Sequence, residues 1–131
     1  MVFDTNVYIS AIITEGLCSK LLKRARKGEF TLISCPCIVD EIKKVLSEKF
    51  KASAAEILSA IDVINESVSK MVSHEKVDFS ICKDKEDDKI IACAFKAKAD
   101  YLVTGDTDLL EIRQYKNIKI ISPRDFEMLF D

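Results

Sequence analysis

The chain has 131 residues and a net charge of −2, and 48% of its residues are hydrophobic and 32% are charged. This composition predicts a single folded domain over residues 1–131 and excludes a disordered or collagen-like chain. No apolar run approaches the roughly 20 residues of a membrane span. The slightly acidic balance argues against general polyanion binding, so any nucleic-acid contact has to be local.

Hydrophobic periodicity predicts strands and helices that alternate along the chain. The predicted strands cover residues 1–3, 30–34, 101–103 and 118–121, and residues 69–77 form either a short strand or a loop. The predicted helices cover residues 5–14, 17–27, 36–50, 54–68, 84–99, 108–114 and 123–130. This alternation is typical of a three-layer α/β/α fold with a central, mainly parallel sheet. In such a sheet the ligand site lies beyond the carboxyl ends of the strands.

Two aspartates stand where that rule expects a site. Asp4 directly follows the first strand, and Asp106 follows the strand 101–103 by way of Thr104 and Gly105. Because the carboxyl ends of parallel strands meet at one edge of the sheet, we expect both carboxylates to line the same crevice. Asp106 alone could instead be a helix cap, which is a common role for aspartate.

Two predicted helices bring further acids toward the same rim. On the helix 36–50, Glu41 flanks the apolar stripe, whereas Asp40 points toward solvent. On the helix 84–99, Asp87 is aligned with the buried stripe, Asp88 lies nearer its edge, and Asp84 is a candidate cap. Acids at a helix N-terminus are also favoured by the helix dipole, so an ordinary structural role stays open for this group.

Carboxylates that share one rim repel each other unless a cation compensates their charge. The four acids expected to do so are Asp4, Glu41, Asp87 and Asp106. The single histidine, His74, has no histidine partner, and oxygen-only ligands suit the hard cations Mg²⁺ and Mn²⁺. Such cations commonly serve phosphoryl chemistry, and the chain has no Walker-type phosphate loop.

The cysteines do not form a recognisable metal or redox motif. They are Cys18, Cys35, Cys37, Cys82 and Cys93. Cys35-Pro36-Cys37 lacks the two-residue spacer of zinc and redox thiol pairs, and no second pair accompanies it. We therefore predict buried free thiols in a protein of the reducing cytoplasm.

Four segments of the sequence resemble a PIN domain, from the branch of toxin–antitoxin toxins related to VapC. They are Asp4-Thr5-Asn6-Val7, the segment with Pro36 and Glu41, residues 84–89, and residues 99–110 with Thr104-Gly105-Asp106-Thr107-Asp108. The resemblance spans nearly the whole chain and implies a metal-dependent ribonuclease with a small α/β/α fold. It departs from the family in a short first strand and in Lys85, where proline is frequent.

The resemblance also implies roles for individual residues. The metal-binding acids carried over from it are Asp4, Glu41, Asp87 and Asp106, with Mg²⁺ or Mn²⁺ as the cofactor. Asn6, Thr104 and Asp108 match supporting positions, while Asp88 and Asp84 match less well. An antitoxin that covers the site and a homodimer are the implied protein partners, besides an RNA substrate.

Five cations on the second helix are the candidate RNA contacts, and an ordinary solvated helix face is the alternative interpretation. They are Lys20, Lys23, Arg24, Arg26 and Lys27.

Two other functions stay open. A phosphatase of the haloacid-dehalogenase type also begins with an aspartate after a first strand, but Asn6 stands where it requires a second one. A catalytically silent PIN-like module that binds RNA or protein is the other alternative.

Overall fold

The structure is a computed structural model that describes residues 1–72 and 85–130, with the backbone alone for residues 85–87. The strands are β1 (Val2–Phe3), β2 (Ile33–Ser34), β3 (Lys70–Met71), β4 (Tyr101–Val103), β5 (Gln114–Tyr115) and β6 (Ile118–Ile121). The helices are α1 (Thr5–Ile13), α2 (Leu17–Arg26), α3 (Pro36–Glu48), α4 (Ala54–Ser67), α5 (Lys85–Lys96), α6 (Thr107–Ile112) and α7 (Pro123–Glu127), and a 3₁₀ turn (Met128–Phe130) follows.

The strands form one sheet in the order β3-β2-β1-β4-β6-β5. All neighbours are parallel except β5, which pairs antiparallel with β6. The strand order reverses between β1 and β4, where Val2 pairs with Leu102 and Phe3 with Val103. Residues that follow these two strands therefore emerge side by side at the switch point of the sheet, where ligand sites of α/β folds lie.

A continuous core of apolar side chains holds the helices against the sheet. The largest fully buried members include Phe3, Tyr8 and Phe126, and the rings of Phe3 and Phe126 lie edge to face at 6.1 Å. Helix α1 packs against α2 and α3, and α5 packs against β4. Burial of these faces is the main stabilising contribution, since the strands are too short to be stable alone.

The predicted α/β fold with a mainly parallel sheet is confirmed, with differences at the ends of elements. Within the predicted strand 30–34 only Ile33–Ser34 pairs, and α3 ends at Glu48 rather than at Phe50. The strand Gln114–Tyr115 was missed, because a two-residue edge strand depends on its partner β6 and not on a local pattern. None of the helices in the described ranges is both long and apolar enough to cross a membrane.

Candidate functional site

Asp4 lies at the centre of the carboxyl edge of the sheet. It follows β1 and precedes α1, and its backbone N–H donates to the carbonyl of Val103 at the end of β4 (2.9 Å). The residue is only 4% exposed, and its side chain makes no capping hydrogen bond to α1. Instead, Oδ2 accepts a hydrogen bond of 2.8 Å from the hydroxyl of Thr104. The tertiary contact with Thr104, rather than a helix-capping hydrogen bond, thus orients this carboxylate.

Thr104 connects the two post-strand aspartates. Its hydroxyl donates to Asp4 and accepts a 3.0 Å hydrogen bond from the backbone N–H of Asp106. Asp106 caps α6, with Oδ1 accepting from the backbone N–H of Asp108 (2.9 Å). Asp106 therefore does have the helix-cap role considered for it. The cap uses only Oδ1, and Oδ2 takes no part in it.

Glu41 reaches the same region from α3. Its Oε2 accepts a hydrogen bond of 3.2 Å from the hydroxyl of Thr5, the residue that follows Asp4. Glu41 is half-buried and Asp40 is exposed, as the helical phase predicted. The role of Thr5 was not predicted from the sequence. The signal that could have identified it is its place in the Asp4-Thr5-Asn6 motif, since a hydroxyl beside a buried acid can orient a second acid.

The electrostatics of Asp4 reflect this convergence. Burial raises the pKa of Asp4, and the negative charges of Glu41 and Asp106 raise it further, while hydrogen bonds from Thr104 and from the backbone of Thr5 oppose the shift. None of the ion pairs in the described ranges involves Asp4, Glu41 or Asp106. A buried carboxylate among like charges without a basic partner is an arrangement that a cation stabilises.

Helix α5 contributes a buried acid. Asp88, predicted to lie nearer the edge of the buried face than Asp87, is only 2% exposed. Its neighbour one turn later, Ile91, is 1% exposed, which places Asp88 on the packed side of the helix. The side chain of Asp87 and all of Asp84 lie outside the described residues, so their predicted roles stay predictions.

The remaining supporting positions lie around the site at its surface. Asn6 is exposed in the first turn of α1, and Asp108 is exposed in the first turn of α6. Thr104, by contrast, is fully buried. Thr104 thus holds the carboxylate of Asp4 with its side chain, whereas Asp108 contacts the carboxylate of Asp106 through its backbone N–H.

Three of the five candidate RNA-binding cations are engaged within the protein. Arg24 forms a two-oxygen contact with Glu127 (2.6 and 3.1 Å), and Lys20 also pairs with Glu127 (3.1 Å). Arg26 lies 3.7 Å from Glu66. These pairs favour a structural role for Arg24 in particular. Contact of the cluster with RNA stays a prediction.

The oxygen-only donor set fits a hard divalent cation, although the described residues give only part of a site. Among them, no group of three or more His, Cys, Asp or Glu side chains has the spacing of a metal site. Asp4, Glu41 and Asp106 are nonetheless close enough for their charges to raise the pKa of Asp4. These three carboxylates suit a hard divalent cation because they carry like charges and offer oxygen atoms rather than thiol or imidazole ligands.

Comparison with known proteins agrees with the fold and the motifs. The family model described as "PIN domain" matches residues 1–108. An uncharacterised protein of Methanocaldococcus jannaschii is 31% identical over 139 aligned positions, which cover 96% of this chain and 88% of the relative. Among solved structures, VapBC2 from Rickettsia felis, bound to a DNA fragment from its promoter, matches with a TM-score of 0.65 at 16% identity, over 93% of this chain and 98% of that one. The chain belongs to the PIN-domain family.

Proposed function

We propose that this protein is a metal-dependent endoribonuclease that hydrolyses RNA phosphodiester bonds, as the toxin of a toxin–antitoxin pair. The single observation that carries the proposal is the buried carboxylate of Asp4, held at the switch point of the sheet between the like charges of Glu41 and Asp106. Membership of the PIN-domain family, whose nucleases generally use divalent metal ions, supports it.

The residues that would hold Mg²⁺ or Mn²⁺ are Asp4, Glu41, Asp87 and Asp106. When bound, such an ion lowers the pKa of water and stabilises negative charge on a phosphate. The chain supplies the orientation: Thr104 fixes Oδ2 of Asp4, and Thr5 holds Oε2 of Glu41. Thr104 directly follows β4 and Thr5 is the first residue of α1, so both hydroxyls orient these two carboxylates from ordered backbone at the carboxyl edge of the sheet.

A nuclease assay on single-stranded RNA tests the proposal. We expect cleavage with Mn²⁺ or Mg²⁺ and none with EDTA, and a loss of at least about 100-fold in Asp4→Asn and in Glu41→Gln. Asp62→Asn is the matched control, since it makes the same chemical change at an exposed position of α4. If Asp4→Asn cleaves as fast as the Asp62→Asn control, the assigned site is wrong.

The same reagents separate the two alternative functions. A catalytically silent module would bind RNA but leave it intact with every metal tested, and its affinity would not depend on Asp4. A phosphatase of the haloacid-dehalogenase type would hydrolyse a small phosphate ester and carry a covalent phosphate on Asp4. The hydrogen bond from Thr104 and the burial of Asp4 disfavour that reaction, since a nucleophilic carboxylate needs access to its substrate.

An apolar surface on the helices supports a protein partner. Exposed side chains there include Ile13 on α1, Phe50 after α3 and Val63 on α4, which line a groove of about 770 Å³ between the three helices. Contiguous apolar surface of this kind marks interaction sites. We propose that an antitoxin covers it. One solved structure that resembles this chain is of the paired proteins VapBC2, which supports a protein partner of that kind.

Light scattering after size-exclusion chromatography, with and without the co-expressed product of a neighbouring gene, tests the partner. Retention of that product by the wild type and its loss in Val63→Lys would support the proposal. A dimer of the chain alone that dissociates in Val63→Lys would instead assign the surface to the homodimer and contradict it.

A further inference from the structure

The edge of the sheet formed by β5 carries positive charge without acids. Residues 95–99, at the end of α5, include two lysines, and residues 112–121, which span β5 and β6, include two lysines and one arginine. Neither segment contains an aspartate or a glutamate. The cations are Lys96, Lys98, Arg113, Lys116 and Lys119. Because the whole chain has a net charge of −2, this edge has a local excess of positive charge.

An exposed aromatic ring connects the two segments. The ring of Phe95 on α5 lies 6.1 Å from the ring of Tyr115 on β5, at an interplanar angle of 77°. Nζ of Lys116, in the turn between β5 and β6, lies 4.5 Å from the centre of the Phe95 ring and 5.6 Å from that of Tyr115. Phe95 is nevertheless 47% exposed. We refer to Phe95, Tyr115 and Lys116 as the aromatic–lysine cluster.

The surroundings of Phe95 differ from those of the other exposed ring. Within the part of the chain that the structure describes, Phe50 and Phe95 are the two exposed aromatic residues. Phe50 borders the apolar groove assigned above to a protein partner, whereas Phe95 has a lysine over its ring. A ring among cations is the kind of surface that binds single-stranded nucleic acids, because bases stack on the ring and the cations contact phosphates.

Most cations of this edge are not neutralised by acids. Among residues 1–72 and 85–130, no ion pair involves Lys98, Arg113, Lys116 or Lys119. Three cations of α2, by contrast, pair with glutamates. Lysines on an edge strand can also prevent its pairing with another chain, but that role requires no exposed aromatic ring. The combination of ring and cations therefore favours a ligand.

The aromatic–lysine cluster lies at the far end of α5 from the candidate site. Asp88 is in the first turn of α5 and Phe95 follows seven residues later, about 10 Å along the helix axis. Tyr115 pairs with Ile118 at the amino end of β6, whereas the candidate site follows the carboxyl ends of β1 and β4. A strand cut at the acids has to extend by several nucleotides to reach the cluster.

We propose that the aromatic–lysine cluster binds single-stranded RNA outside the acid site. A base stacks on the open part of the Phe95 ring, and the ammonium group of Lys116 contacts an adjacent phosphate. The proposal rests on the proposed function for the identity of the ligand as RNA, but it requires neither metal nor cleavage. Stacking and charge together favour no particular base sequence. A long substrate is thus held both at the acids and at the cluster, and a short one at the acids alone.

Binding of a labelled single-stranded RNA in EDTA, measured by fluorescence anisotropy, tests the cluster in the absence of cleavage. We expect Phe95→Ala to weaken binding by about 5- to 100-fold, the range for the loss of one stacked base. Phe50→Ala is the matched control, because Phe50 is 46% exposed and Phe95 is 47% exposed. Equal affinities of the two variants would overturn the proposal, as would a wild type that does not bind RNA in EDTA.

Lys116→Gln tests the phosphate contact. We expect it to reduce the slope of log K against log salt by about 0.7, the value for one phosphate of a single strand. Lys51→Gln is the matched control, since both lysines are exposed and have left-handed backbones, with φ of 52° at Lys116 and 53° at Lys51. A slope that changes no more in Lys116→Gln than in Lys51→Gln would contradict the contact.

Ultraviolet cross-linking of the wild-type protein to RNA needs no variant, so the proposal stays testable even if Phe95→Ala fails to fold. Cross-linked nucleotides are mapped to peptides by mass spectrometry. We expect a cross-link at Phe95 or Tyr115. Cross-links confined to other peptides would overturn the proposal.

Cleavage kinetics separate this proposal from the proposed nuclease activity. For a long RNA, Phe95→Ala should raise KM and leave kcat unchanged, and cleavage of a trinucleotide should not change, because so short a strand does not reach the cluster. Equal losses on both substrates would contradict the separate site. If the wild type cleaves no RNA but Phe95→Ala still binds RNA more weakly than Phe50→Ala, the nuclease proposal fails and the RNA site stands.

Discussion

The hydroxyl of Thr104 donates a 2.8 Å hydrogen bond to Oδ2 of Asp4, a residue 100 positions away in the sequence. The contact exists because β1 and β4 are parallel neighbours, so that the residues following them emerge together. The same hydroxyl accepts from the backbone N–H of Asp106. One buried side chain therefore sets the positions of two of the acids proposed to bind metal.

Two substitutions of Thr104 should distinguish the contribution of its hydroxyl from that of its methyl group. Thr104→Val leaves an oxygen of Asp4 and the N–H of Asp106 without their partner, at a cost of about 1–3 kcal/mol in the free energy of unfolding. We expect RNA cleavage to fall by about 10–100-fold, as for other groups that orient metal ligands. Thr104→Ser keeps the hydroxyl and should retain most activity. Equal activity of the valine and serine variants would remove Thr104 from the site.

The stability of the metal-free protein should depend on pH through Asp4. Its native pKa is raised above the ordinary value of 3.8, so the folded protein holds a proton that the unfolded chain releases. The free energy of unfolding of the wild type should therefore fall, relative to Asp4→Asn, as the pH rises from below the ordinary pKa through the raised one. Urea unfolding in EDTA at about pH 4 and about pH 7 measures the difference. A free energy of unfolding of the wild type that rises relative to that of Asp4→Asn between these two pH values would contradict this account.

Replacement of Asp87 should weaken the response of the protein to metal. Asp87→Asn is expected to melt at the same or a higher temperature than the wild type without metal, and to lose most of the stabilisation by Mn²⁺, because one repulsive ligand has been removed. Asp88→Asn tests whether the 2%-exposed neighbour shares this role. Thermal unfolding with and without Mn²⁺ distinguishes them. A metal-free melting temperature of Asp87→Asn far below that of the wild type would show that Asp87 is structural.

The cations of α2 should divide into structural and RNA-binding members. Arg24 contacts Glu127 and Glu29 and lies 4.7 Å from the ring centre of Phe130, so Arg24→Gln should lower the melting temperature clearly. Lys23→Gln should leave stability unchanged and, if the cluster binds RNA, reduce the salt dependence of binding by about 0.7 in the slope of log K against log salt. Binding titrations over a range of salt check this. An unchanged slope in Lys23→Gln would count against RNA contact there.

Gly28 should be required for the end of α2. Its φ of 81° lies in the left-handed region, and its N–H donates to the carbonyl of Ala25 as the helix terminates. Gly28→Ala should destabilise the protein by about 1 kcal/mol, because a Cβ disfavours that conformation. Gly16→Ala is the control, since its backbone is extended and nothing lies within 4 Å of an added Cβ. Denaturant unfolding of both variants measures the effect, and equal stabilities would contradict it.

The sequence by itself determined the class of fold and two of the acids at the sheet edge. Alternating helical and strand periods predict a parallel sheet, and the rule for its carboxyl ends selects Asp4 and Asp106. The phase of α3 separates half-buried Glu41 from exposed Asp40. These features are local in the sequence or follow from the topology, so a single amino-acid sequence is sufficient to predict them.

Only the tertiary structure decided which side chains meet. The hydroxyl of Thr104 meets Asp4 because their strands are neighbours, and the hydroxyl of Thr5 meets Glu41 because their helices pack together. The periodicity of the sequence encodes neither contact. The burial of Asp88 depends on the exact rotation of α5 against β4. Contacts over long separations are set by the packing of the whole core, and a local pattern in the sequence constrains only one of the two partners.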